Sequence, residues 1–295
     1  MNAPCWERLI AGLEFPEALR WHDGALWCSD VGAGRVLALD EVGRLVRDLR
    51  VGTSPVGIGF TPDGAVVVQE MDGSLHTIVG DEDSVTALGR HSPHIWVDLA
   101  MDDRGRAYSS NIGCSFDPAR AAVSAERIRT SGCIWSIDCR DGVRREVDGG
   151  LALPNGMIVA DARSLLIVAE SRASRLTAFP ILEDGTLGAP RLFASLPADP
   201  DGICGDADGA VWAALPALGT VVRVRDGGEV LESIPLGDRR TVSVALGGSD
   251  GRTLFVASVA PETPPPPRRG PASWTGTIDF LHVEVPMMWS SGTNA

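Results

Sequence analysis

Three oxygen-bearing side chains, Glu17, Asn155 and Asp201, stand at one point of a unit that recurs six times along the 295-residue chain. The matching residues of the other units are Val56, Val97 and Val242. Two carboxylates and an amide brought to one point would repel and lose their water unless a cation sat between them. An all-oxygen set suits a hard cation such as Ca²⁺, Mg²⁺ or Mn²⁺. Zn²⁺ also accepts carboxylates. Such a cation could act as a Lewis acid on a bound carbonyl. Asp201 is then both a ligand and the candidate base for an attacking water. Taken singly, Pro154-Asn155-Gly156 and Pro200-Asp201-Gly202 are ordinary turn sequences. The shared repeat position, and a Glu17 that no turn requires, separate the set from turn caps.

The elements that must place these residues are short strands. A third-strand pattern appears as GRVLALD (34–40), GSLHTIV (73–79), GCIWSID (132–138), SRLTAFP (174–180), GTVVRVR (219–225) and GTIDFLH (276–282). Each alternates large apolar and polar residues, the period-2 signature of a strand. Each follows a second strand, such as GALWCSD (24–30) or SLLIVAE (164–170), most of them introduced by a Gly-containing hairpin turn. A fourth strand closes most units, but none follows residue 282. CWERLIAGL (5–13) has the missing pattern, so the N-terminal strand is expected to complete the last unit. Six four-stranded units closed this way predict an all-β, six-bladed propeller formed as one domain over 1–295. The repeated position then surrounds one mouth of the central channel. Loops 112–131 and 259–275 leave from the ends of second strands and are expected to lie over that mouth.

Composition narrows the function classes. The net charge of −13 argues against nucleic acid, which needs clustered cations. The chain has no lysine, which excludes a Schiff-base mechanism, and six scattered cysteines that read as reduced. No apolar run is long enough for a membrane span, and MNAPCWERLI lacks signal-peptide character, so a cytoplasmic protein acting on a small molecule is expected. Asp206-Ala207-Asp208-Gly209 opens like a calcium loop, but its twelfth position is Ala217, which makes it a hairpin turn. There is no G-x-S-x-G, H-E-x-x-H or P-loop. His91 and His94 precede the third inner strand, and His94 is a candidate proton shuttle. Trp96 and Trp274 are candidate walls of an apolar pocket. The carboxylates that end second strands, Asp30, Glu70 and Glu170, read as structural.

The segments FPEALRWHDGALWCSDVGAGRV, LPNGMIVADARSLLIVAESRASRLTAF and DPDGICGDADGAVWAALPALGTVVRVRDGGEV resemble the senescence-marker-protein, gluconolactonase and luciferin-regenerating-enzyme-like family. The resemblance implies a six-bladed propeller with one divalent cation held by a Glu, an Asn and an Asp at the positions of Glu17, Asn155 and Asp201. It also implies lactonase or related hydrolase activity. Asn111 matches an Asn that some members carry, which implies a role in orienting substrate. The third blade departs from the family pattern: HIWVDLAMD keeps Asp98 but has Val97 where the family has Asn, and Ile95 where sugar lactonases have Arg. A less polar lactone or ester than gluconolactone is therefore expected. The alternatives are isomerase or cyclase chemistry on a specialised metabolite, and a propeller that only binds.

Overall fold

The computed structural model describes residues 5–80, 85–88, 94–115, 132–160, 164–261 and 274–288. Among these, 24 strands form six antiparallel four-stranded sheets. Five sheets use four consecutive strands, and the sixth joins Glu7–Leu13 to the last three, in register from Glu7 opposite Phe280 to Leu13 opposite Gly276. The N-terminal strand thus closes the ring, and the fold is the expected six-bladed propeller. The innermost strands are Pro16–His22, Pro55–Phe60, His94–Met101, Pro154–Ala160, Ile203–Gly205 and Arg240–Gly247, numbered here as blades 1 to 6. Each neighbours the next around the axis. Apolar residues on facing sheets fill the wedges between blades, as where Leu176, Ala178 and Phe193 pack with Val211, Ala213 and Val222. Among the described residues no helix is long and apolar enough to cross a membrane.

The second-strand carboxylates have the structural role expected of them. Asp30 accepts hydrogen bonds from Glu14 N and Phe15 N at 2.8 and 3.0 Å, Glu70 from Ser54 N at 2.8 Å, and Glu170 from Ala152 N at 2.9 Å. Each ties down the segment that leads into its own blade's inner strand, so the channel mouth is fixed from behind.

Two boundaries differ from the sequence pattern. The second strand of blade 3 runs from Arg106 to Ser115, past Asn111, because its hairpin with the inner strand continues until His94 faces Ser115. In blade 5 the inner strand begins only at Ile203, so Asp201 lies just ahead of it. Its backbone is still held, with Asp201 N donating to Ala214 O at 2.9 Å and Gly202 N to Val242 O at 2.8 Å. Most of loops 112–131 and 259–275, together with His91, lies outside the described residues.

Close approach of neighbouring inner strands depends on glycine after the repeated position. A Cβ on Gly156 would meet Asp201 O at 2.6 Å and Gly202 Cα at 2.8 Å, and one on Gly202 would meet Ser243 Cα at 2.7 Å. These neighbours are backbone and cannot swing aside. Gly156→Ala is therefore expected to cost about 1–3 kcal/mol and to weaken cation binding by moving Asp201 away from Asn155. Thermal unfolding and a calcium titration of the variant check both.

Candidate metal and substrate site

The mouth of the channel opens into a cavity of about 890 Å³. Glu17, Asp98 and Asn155 line its polar base. Phe15, Val56, Ile95, Trp96, Val97 and Trp274 are among its apolar walls. Among the described residues, no arginine or histidine lines it. Phe15 meets Trp274 edge-on with ring centres 6.0 Å apart, which fixes one wall. The two tryptophans singled out from the sequence both border the cavity.

Each donor of the ring is held by its own strand. Glu17 is the second residue of the blade 1 inner strand, and the next residue, Ala18, has φ +51°. A non-glycine residue in the left-handed region beside a buried carboxylate is strain of the kind that collects at functional sites. Leu19 N donates to Ser243 Oγ at 3.0 Å and anchors this kink to blade 6. Asn155 sits at the equivalent place in blade 4. Its Nδ2 donates to Ser171 Oγ at 3.4 Å, and the side chain also hydrogen-bonds Asp201. Asn155 Oδ1 accepts no hydrogen bond from the described residues. Ser171 Oγ in turn donates to Pro200 O at 2.6 Å, which fixes the residue before Asp201.

The electrostatics are those of an anionic pocket. Burial, then the charges of Asp201 and Asp98, push the Glu17 carboxyl well above the ordinary range. Burial raises Asp201 to about 7 and Asp98 adds to this, against the Asn155 hydrogen bond and the field of Arg240. Among the described residues neither Glu17 nor Asp201 has an ion-pair partner, and no cluster of three His, Cys, Asp or Glu side chains has metal-holding geometry. Here the third donor is an amide. Two under-compensated carboxylates beside an amide oxygen fit a hard divalent cation.

The structure brings Glu17, Asn155 and Asp201 together, with Asp98 beside them. Asn111 is buried and faces Trp96 across the blade 3 hairpin. Its Oδ1 accepts from Gly113 N at 2.7 Å, while its Nδ2 has no partner among the described residues. His94 opens the blade 3 inner strand, half-buried, and does not line the cavity.

Sequence reasoning missed the partner of Asp98. Arg20 reaches from blade 1 to Asp98 on blade 3, with Nη2 2.9 Å from both carboxylate oxygens. The repeat itself held the signal. Three residues after the ring position the other blades carry Gly59, Ala100, Ile158, Cys204 and Ala245, so a charged side chain at Arg20 stands alone. Arg240 was also passed over: it lies over the Trp274 ring at 5.9 Å, on the rim.

Residues 15–260 match the model of the SMP-30/gluconolactonase/LRE-like region. The chain belongs to this family. It is 27% identical over 246 residues to the pentonolactonase XacC of Haloferax volcanii, covering 81% of this chain and 79% of that one. It is 26% identical over 245 residues to a 6-deoxy-6-sulfogluconolactonase of Pseudomonas putida, covering 80% of each. Its fold matches the structure of a calcium-binding protein, regucalcin, from Agrobacterium tumefaciens with a TM-score of 0.77 at 17% identity, over 97% of this chain and 96% of that one. Two proteins named as lactonases are thus similar to this chain in sequence, and one named as a calcium-binding protein shares its fold.

Proposed function

We propose that this family member is a divalent-metal-dependent hydrolase that opens a lactone or related ester carrying an apolar portion. The observation that carries this reading is that Glu17 and Asn155 meet at the base of a cavity walled by tryptophan and aliphatic side chains, with Asp201 hydrogen-bonded to Asn155 and its charge acting on Glu17. The lactonase relatives support the reaction class. Glu17, Asp201 and Asn155 Oδ1 would hold the cation, with Ca²⁺ first among the candidates. When bound, the cation supplies Lewis-acid polarisation of the substrate carbonyl and stabilises the charge that develops on its oxygen.

The chain's own residues do the rest. The Asp201 carboxylate takes the proton of the attacking water. Asn111 Nδ2, a buried donor without a partner among the described residues, orients an acceptor oxygen of the substrate. Trp96, Ile95, Val97 and Trp274 seat the apolar portion and exclude water from the carbonyl.

The test is a set of δ-lactones of increasing alkyl length beside gluconolactone, assayed by acid release with calcium present. KM is expected to fall with chain length, and gluconolactone to be a poor substrate. Preference for gluconolactone would contradict the assignment of the apolar wall. Consumption of lactone without release of acid would favour isomerase or cyclase chemistry instead.

A further inference from the structure

The channel does not run freely from one end of the propeller to the other. A second cavity of about 810 Å³ opens at the opposite end, and Arg20 lines it while Asp98 lines the first. The Arg20–Asp98 pair is thus the floor of one cavity and the ceiling of the other.

We propose that Arg20 is a built-in counter-ion, a positioning residue that withdraws Asp98 from the acidic set and so determines how strongly the site holds a divalent cation. This rests on the reading of Glu17, Asn155 and Asp201 as the cation's donors. Three observations carry it. Arg20 is the charged residue at a repeat position that is otherwise small or apolar, so nothing in the blade geometry calls for it. Its guanidinium is committed to Asp98 and to the backbone: Nη2 donates to Asp98 Oδ1 and Oδ2 at 2.9 Å and to Leu99 O at 3.0 Å, and Nη1 to Leu19 O at 2.9 Å. Asp98 Oδ2 also accepts from Met157 N at 3.0 Å, so the carboxylate is turned onto blades 1 and 4 and anchored there.

Charge makes the consequence. Glu17, Asp98 and Asp201 carry three negative charges when ionised, and the field of Asp98 acts on both of the others. Arg20 reduces that total to two, which one divalent cation neutralises. The side chains of Arg20 and Asp98 are 19% and 8% exposed, so solvent screens the pair weakly. Arg240 adds a positive field from the exposed rim, where screening is strong. Removing Arg20 alone leaves a third carboxylate facing the cation; removing Asp98 alone leaves an unopposed cation below it.

The experiment is a calorimetric calcium titration of the full-length, chelator-stripped protein at one pH above neutrality. It compares wild type, Arg20→Met, Asp98→Asn and the double variant. Arg20→Met is expected to bind calcium roughly tenfold more tightly and Asp98→Asn roughly tenfold more weakly. The double variant, which has lost a neutral pair, should return to within about threefold of wild type. If Arg20→Met does not fold because Asp98 is stranded, Asp98→Asn must still bind about tenfold more weakly than the double variant. Equal weakening in all variants, or none in any, would overturn the counter-ion role while leaving the cation reading intact. Absence of calcium binding in wild type would overturn the cation reading and this proposal with it.

Discussion

Replacing Asp201 by alanine is expected to abolish calcium binding and to lower kcat/KM for lactone opening by roughly 10³-fold. The residue is asked to do two things at once: to provide one of two anionic donors and to accept a proton. Loss of either removes several kcal/mol of transition-state stabilisation. The fold should survive. Asp201 is raised to about 7 chiefly by burial, with Asp98 adding repulsion, so the cation-free protein loses an unfavourable charge when it is removed. Melting temperature without calcium should therefore be equal to or above that of wild type. A variant that melts lower and keeps its calcium would contradict this account of the residue. Glu17→Gln should lose calcium in the same way but retain more of the proton-accepting chemistry.

The second large effect is a pH dependence of unusual sign. An unfolded aspartate releases its proton near 3.8, whereas Asp201 in the folded, cation-free protein holds it to about 7. Between those values the folded state binds more protons than the unfolded one, so stability falls as pH rises through the window. Three pKa units correspond to as much as roughly 4 kcal/mol. Glu17, also raised, acts in the same direction. Glu170 has the opposite sign but only below 4.5: burial there is outweighed by Arg175, Ala152 N and Thr177, and its carboxyl is lowered. The clean measurement is the difference between wild type and Asp201→Asn in unfolding free energy from pH 5 to pH 8 without divalent metal. Wild type should lose stability relative to the variant as pH rises. Saturating calcium should reverse the slope, because the cation binds the deprotonated carboxylates. A flat difference without metal would mean that Asp201 titrates as an ordinary surface group.

What could be read before the structure, and what could not, follows from how each feature is encoded. The convergence of Glu17, Asn155 and Asp201 was legible because a repeat places equivalent residues at equivalent points, so two ordinary turn residues and a glutamate that no turn requires became one set. The closing strand Glu7–Leu13 was legible because its pattern matched the fourth strand that the last unit lacked. The Arg20–Asp98 pair was not found, because it joins blade 1 to blade 3 across the channel and has no sequence period. Only aligning the third position after the ring isolates Arg20. The late start of the blade 5 inner strand was hidden because Asp201 and Gly202 keep strand-like hydrogen bonds to Ala214 and Val242 before the ladder begins. Asn111 reads as a strand end in sequence but lies inside a longer strand, since the blade 3 hairpin continues to His94 and Ser115.

The measurement that bears most directly on the central claim is hydrolysis of an alkyl δ-lactone by the protein before chelation, after removal of divalent metal, and after calcium is restored, with metal content determined at each stage. The account predicts one equivalent of divalent metal in the active protein, loss of ring opening with its removal, and recovery when it is returned. Ring opening that persists at full rate in metal-free protein would contradict it.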